Sequence, residues 1–302
     1  LPAGFFDHPD MMMTATDPAI LGPGLLGGSI AMALRHLHPG SNVRIWGRRK
    51  EAVDFIGKNE IAAVASTDLA EVVGGADLVI LCVPVGAMGE LASRLREHLA
   101  PGAIVTDVGS VKLPVLETIG PILGNRFVGS HPMAGSEKFG IGAARADLFR
   151  GAVSIVTPTA ASCPEAVGRV RAFWEGLGSE VRELSPEEHD RTVALVSHLP
   201  HLIAAALVDF VCLENRDALN FCGAGFRDTT RVAAGPAKMW TEILLENREA
   251  MRAALRSFGR HLAAVEPHFD DPDALDAFLS RAAEQRDSVS VRRNRSSWPT
   301  GK

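Results

Sequence analysis

The stretch Ala19-Ile20-Leu21-Gly22-Pro23-Gly24-Leu25-Leu26-Gly27 constrains this chain more than any other. A short apolar run leads into G-x-G-x-x-G, an amphipathic stretch at 25–37 follows at once, and a second β-rich run comes at 43–46. In that setting each glycine has a task. Gly22 lets the turn close, Gly24 lets the backbone approach a pyrophosphate, and Gly27 lets the helix pack on the strand, while the free N–H groups of the helix start favour an anion. Gly22, Gly24, Leu25, Leu26 and Gly27 are therefore the expected dinucleotide cradle, and Val83, at the end of the run 78–83, is assigned to the same site. An NAD site usually places an acid about 20 residues beyond the glycines, on the ribose 2′-hydroxyl. Here the second run ends Ile45-Trp46-Gly47-Arg48-Arg49-Lys50, without one. Arg48 and Arg49 suit a 2′-phosphate, because guanidinium matches phosphate oxygens bidentately, so NADP is expected ahead of NAD.

Further β-rich runs at 103–106, 126–128 and 153–156 alternate with helical stretches such as 85–99, which predicts a βαβ series and a parallel sheet. The runs 78–83 and 103–106 do not alternate polar with apolar, as expected of strands covered on both faces. After Val181 the strand signals stop. Ser185-Pro186-Glu187-Glu188 then offers a capping hydroxyl, a Pro at the first helical position and a Glu three residues after the cap. Helix is expected from there to about Ala283, with breaks near Gly223 to Gly225 and at Gly235-Pro236. The predicted fold class is α/β: a flexible leader 1–18, a Rossmann-type parallel-sheet domain 19–184, an all-helical substrate and dimerisation domain 185–283, and a flexible tail 284–302. The apolar helix surface at 193–211 and 251–262 exceeds what one small bundle would bury, which points to a symmetric homodimer through the helical domain.

Of 302 residues 46% are hydrophobic and 22% charged, and the net charge is −5, so no concentrated basic face attracts nucleic acid or an anionic membrane. The residues 281–302 hold six basic side chains against two acidic ones and read as a solvated tail. Charged, histidine or glycine residues interrupt every apolar run before the roughly 18 residues a bilayer span needs, and the first residues do not form a secretory signal. Cys82, Cys163, Cys212 and Cys222 include no C-x-x-C pair, which predicts reduced thiols and a cytoplasmic protein. No metal is expected. His198 and His201 stand three apart, without a third ligand at metal spacing and without H-E-x-x-H.

Two motifs follow strands, where open α/β sheets bind ligands: Asp107-Val108-Gly109-Ser110-Val111-Lys112, and Gly129-Ser130-His131-Pro132-Met133-Ala134-Gly135-Ser136-Glu137-Lys138. His131 precedes a proline, which biases its backbone to be extended and lets its ring project from a loop. In the helical half come Ser197-His198-Leu199-Pro200-His201, then Phe226-Arg227-Asp228-Thr229-Thr230-Arg231, then Trp240. With these motifs in this order, the chain resembles the prephenate and arogenate dehydrogenases of tyrosine biosynthesis over roughly residues 19–283.

The resemblance implies oxidation of a cyclohexadienol. A hydride passes to nicotinamide, a base removes the hydroxyl proton, and loss of carbon dioxide leaves an aromatic ring. Imidazole is the default for a base that must be neutral near pH 7, and His131 is the expected one. The resemblance puts Ser110 beside the same hydroxyl. Arg231 offers a planar fork for a substrate carboxylate, with Asp228 three residues earlier to hold its rotamer. Ser197 and His201, four apart, share a helical face as a second donor pair, His198 packs between helices, and Trp240 joins the substrate site. Glu137 could meet the ammonium of arogenate, gate the mouth through a basic side chain, or have no chemical role, so the choice between the two substrates stays open. Two other classes compete. Reductases of the β-hydroxyacid or imine type place a Lys or Asp on the first long helix after the boundary, where this chain has Ser197, His198 and His201; a nucleotide-sensing subunit without chemistry would lack His131 or Arg231.

Overall fold

The computed structural model describes residues 16–294 apart from 137 and 139, with side chains through 288. Five strands, β1 (Pro18–Leu21), β2 (Arg44–Trp46), β3 (Val64–Ser66), β4 (Leu78–Leu81) and β5 (Ile104–Asp107), form a parallel sheet in the order β3-β2-β1-β4-β5. Side chains alternate between its faces, so the unbroken apolar runs divide. Ile20 and Ile80 join one buried cluster with Ile30, Leu34 and Trp174, and Leu21, Val79 and Leu81 join another with Met88, Leu91 and Ile119. Helices α1 (Leu25–Leu37), α2 (Lys50–Lys58), α3 (Leu69–Val73), α4 (Val85–Leu95) and α5 (Leu113–Leu123) connect the strands. The strand order reverses between β1 and β4, whose last residues Leu21 and Leu81 are paired, and that switch point is where such sheets leave a crevice.

Not all of residues 19–184 is one parallel sheet. Strands β6 (Gly129–Pro132), β7 (Val153–Thr157) and β8 (Glu180–Glu183) form a second one, with β6 antiparallel and β8 parallel to β7. A bridge between Val105 and Phe127 and hydrogen bonds from Ser130 to Asp107 link it to the first sheet. A 3-10 turn over Gly124–Arg126 takes up Arg126, the first residue of the expected strand, and β6 begins at Gly129. His131 consequently lies within a strand, opposite Ile155 and 7% exposed, rather than on a projecting loop. Strands β3 and β8 had no sequence signal. Both are short, β3 is half-buried throughout, and β8 buries only Val181 among charged residues. Between β7 and β8, α6 (Pro164–Gly176) carries Phe173 and Trp174 into the first cluster.

The helical half opens as expected. Ser185 Oγ accepts from Glu188 N (3.2 Å) while Glu188 Oε2 accepts from Ser185 N (3.1 Å), a complete capping box at the start of α7 (Pro186–Val193). A π turn, Ala194–His198, joins α7 to α8 (Leu199–Asn215). Then follow α9 (Ala224–Thr230), α10 (Ala237–Glu246), α11 (Arg248–Ala263) and α12 (Pro272–Asn294), with the predicted interruptions at Gly223 and at Gly235-Pro236.

Regular structure reaches into both segments expected to be flexible. Thr16 N and Asp17 N donate to the Asp77 carboxylate and Pro18 starts β1; residues 1–15 lie outside the described residues. Residues 284–294 continue α12, in keeping with a run of good helix formers, Ala282-Ala283-Glu284-Gln285-Arg286, and 295–302 lie outside the described residues. A third expectation also changes: the segment Pro186–Phe221 is, by length and composition, apolar enough to cross a bilayer, and only 22% of its most apolar window is buried in the chain.

Candidate functional site

At the switch point Gly22 adopts φ +119°, and its N–H donates to the Trp46 carbonyl (3.0 Å). A Cβ there would sit 2.4 Å from the Cys82 carbonyl oxygen and 3.1 Å from Val83 Cγ1, so this glycine is fixed by both conformation and space. Gly27 is equally confined, since its Cβ would meet the Gly22 carbonyl oxygen at 2.1 Å. Gly24 is different. It caps α1 without a side-chain hydrogen bond, and a Cβ would meet nothing within 4 Å, which leaves an open cradle at a helix N-terminus. Leu25 and Leu26, half-buried, form the first turn of that helix. Arg48 and Arg49 are exposed just beyond β2, while Lys50 is paired with Asp54 (2.9 Å). The Arg94 guanidinium lies 5.8 Å from the centre of the Trp46 ring. These residues fit a phosphate-bearing dinucleotide.

The second part of the site is a chain of polar side chains in the interior. His131 Nδ1 meets His189 Nε2 at 2.9 Å, and His189 Nδ1 meets Asp190 Oδ1 at 2.7 Å. Asp190 also accepts from Lys112 N (2.8 Å, Oδ1) and Leu113 N (2.9 Å, Oδ2), which ties α7 to the start of α5. A carboxylate accepts only, so His189 donates through Nδ1 and accepts through Nε2, and His131 donates through Nδ1. That leaves the lone pair of His131 on Nε2. Burial first, and then the neighbouring His189, Lys112 and His198, hold the His131 ring well below the usual histidine range, so it is neutral at pH 7. Burial likewise lowers His189, against the pull of Asp190. For Asp190 burial acts upward, but the hydrogen bonds from His189, Leu113 and Lys112 outweigh it and keep the carboxyl below its ordinary value. A neutral imidazole oriented by a second imidazole and a carboxylate is equipped to accept a proton.

The helical half adds a second buried group. Asn247 Nδ2 donates to the Asp190 carbonyl (2.8 Å) and lies 3.2 Å from His198 Nδ1. Burial lowers His198 to about 4, although the nearby Ser110 carbonyl and Asp190 favour its charged form. His201 stacks face to face on Trp240, with centroids 3.6 Å apart and planes 11° apart, and Trp240 meets His198 edge-on at 6.2 Å. Gly235 makes the stack possible, because a Cβ would lie 2.6 Å from Trp240 Nε1 and 3.2 Å from His201 Cε1. His201 Nδ1 is buried without a hydrogen-bond partner among the described residues.

Ser110 is half-buried on the loop between β5 and α5. Ser197 is half-buried too, but it lies in the π turn, so the regular four-residue face expected for Ser197 and His201 does not apply; the wider turn also brings His198 and His201 inward, both buried. Asp228 and Arg231 are exposed, at the end of α9 and in the 3-10 turn after it. Glu137 lies outside the described residues. The described residues contain no cluster of His, Cys, Asp and Glu fit for a metal.

Sequence reasoning missed His189, Asp190 and Asn247. A signal existed for the first two: the buried stripe of α7 is Pro186, His189, Asp190 and Val193, at helical spacing, and two of its four positions are polar.

A parallel-sheet dinucleotide domain joined to a helical domain that supplies part of a buried polar site defines a two-domain nicotinamide-dependent oxidoreductase. The comparisons make the class specific. Residues 30–183 match the nucleotide-binding domain of prephenate dehydrogenase and residues 185–279 its dimerization domain, and the chain belongs to the prephenate dehydrogenase family. It is 36% identical over 245 residues to a cyclohexadienyl dehydrogenase of Zymomonas mobilis, covering 80% of this chain and 84% of that one. Among solved structures it resembles Aquifex aeolicus prephenate dehydrogenase in complex with hydroxyphenyl propionate and NAD+, with TM-score 0.85, 32% identity, and 90% and 97% of the two chains covered. Synechocystis arogenate dehydrogenase gives TM-score 0.79 at 30% identity, with 90% and 99% covered. The β-hydroxyacid and imine-reducing alternatives are not favoured.

Proposed function

We propose that the protein catalyses the oxidative decarboxylation of prephenate, arogenate or both, giving 4-hydroxyphenylpyruvate or tyrosine. The observation that carries this reading is the His131–His189–Asp190 chain, which leaves a buried, neutral imidazole with its lone pair on Nε2. His131 Nε2 takes the proton of the ring hydroxyl as the carbinol carbon loses its hydride. The bond to the ring carboxylate then breaks, its electron pair completes the aromatic ring, and carbon dioxide leaves. Bound nicotinamide supplies the hydride acceptor. Ser110 holds the hydroxyl in register with the imidazole, and Arg231 takes a substrate carboxylate. Ser197, His201 and Trp240 line the rest of the pocket, with Asp228 supporting Arg231.

NADP is the preferred cofactor in this reading, supported by the exposed Arg48 and Arg49 where an acid would otherwise stand. The enzyme works as a homodimer through its helical domain, in the cytoplasm, on a small molecule; neither nucleic acid nor membrane is a partner. The domains divide near residue 184. A steady-state assay with each combination of prephenate or arogenate and NAD or NADP, following reduced nicotinamide, tests the proposal. Turnover in any combination is expected, fastest with NADP. Silence in all four with nucleotide binding intact would overturn it. Replacing Arg48 and Arg49 by Ser should raise KM for NADP at least tenfold and leave that for NAD within about twofold, since each charge-assisted phosphate contact carries about 1.5–3 kcal/mol.

A further inference from the structure

The assigned chemistry leaves one buried charged pair unused. The Lys112 and Asp107 side chains are both wholly inaccessible, and the ammonium pairs with Asp107 Oδ2. That same oxygen accepts from Gly109 N (2.8 Å), and Oδ1 accepts from Ser130 N (3.0 Å). One carboxylate thus fastens the loop that carries Ser110 on one side and the strand that carries His131 on the other. The Lys112 backbone N–H is anchored in turn on Asp190, the acid that orients His189. Two glycines enclose the pair: a Cβ on Gly109 would lie 2.8 Å from Asp107 Oδ2 and 3.3 Å from Lys112 Nζ, and one on Gly129 would lie 3.3 Å from Lys112 Cδ.

We propose that Lys112 and Asp107 form a positioning pair for the His131 base, in which one buried carboxylate sets Ser110 against His131 and the paired ammonium stands as a fixed positive charge near the ring. The titratable groups around that ring are His189 and Asp190 from α7, His198 from the π turn, and Lys112 and Asp107 from the β5–α5 segment. Burial pushes Lys112 below its ordinary value against the pull of Asp107 and Asp190, and its ammonium adds to burial and His189 in opposing protonation of the imidazole. A pair that served packing alone would call for no particular sign of charge beside His131.

The inference rests on His131 being the base, so its test reads the ring directly. His131 is titrated by NMR in the full-length protein, its signal assigned by comparison with His131→Asn, in wild type, Lys112→Met and Asp107→Asn/Lys112→Met. The double variant is included because removing one partner leaves an unpaired buried charge, whereas removing both is far better tolerated. The expected result is a His131 titration about one pH unit or more higher in the folded variants, with kcat/KM at least tenfold lower and its acid limb shifted to higher pH. An unchanged titration in a folded variant would overturn the proposal, even if activity were lost, because the pair would then be structural. If wild type turns over neither substrate while the ring titration still rises, the assigned reaction fails and the pairing stands.

Discussion

His131 owes its readiness to neighbours that the chain places far from it in sequence. A His before Pro is legible as an extended residue, but its burial and its partner 58 positions away come from packing a strand against α7. Replacing His131 by Asn keeps a donor toward His189 and removes the base; kcat should fall about 100-fold or more with KM little changed, in the steady-state assay. Because the neutral ring is the active form, wild-type kcat/KM should decline only below pH 6.5. The same burial has a cost in stability. His198 is held at about 4 in the fold against roughly 6.5 unfolded, so the unfolded chain binds more protons in between, and stability present above pH 6.5 is lost as pH falls toward 4. This group alone contributes about 3 kcal/mol over that window. Urea midpoints at pH 7 and pH 4.5 that coincided would refute it.

At the scale of elements, local signals served wherever a single turn decides the outcome. The glycine spacing gave the β1–α1 corner, and the structure supplies the reason: Gly27 abuts the Gly22 carbonyl oxygen. Ala at Gly27 should therefore weaken nucleotide binding at least tenfold, as followed by fluorescence titration, or stop the domain folding, as seen by circular dichroism. The capping box similarly located the start of α7. Signals failed where the environment decides. Strands β3 and β8 are strands because a neighbour pairs with them, and the π turn Ala194–His198 has no composition of its own. That turn gives the helix one residue more than an α-helical ladder requires. Deleting Val196, which is 63% exposed, should let the ladder close regularly, turn His189 and His198 out of their mutual register, and abolish turnover while leaving helix content by circular dichroism within a few per cent.

For the whole molecule, the helical half buries little in its own chain. Its interior cluster consists of Ala194, Leu199, Met251 and Ala254, while Phe210, Leu213 and Phe221 are 58%, 77% and 87% exposed. An apolar surface of that kind is covered by another protein surface more often than by water. Light scattering at micromolar concentration should give twice the chain mass, and Phe210→Glu/Leu213→Glu should give the chain mass; a monomeric wild type would remove the dimer reading. The apolar stretches 193–211 and 251–262 foretold part of this surplus, while the exposed Leu213 and Phe221 lie beyond the first of them. The helix that carries Leu213 is continuous through the π turn with the one that carries Asp190, about 35 Å away at 1.5 Å per residue. A single rod therefore has one end clamped to the backbone beside Ser110 and the other in the apolar face. Any pairing that stiffens the far end steadies the near end as a handle steadies a blade, and dilution of the protein would blunt its chemistry without touching a residue of the site.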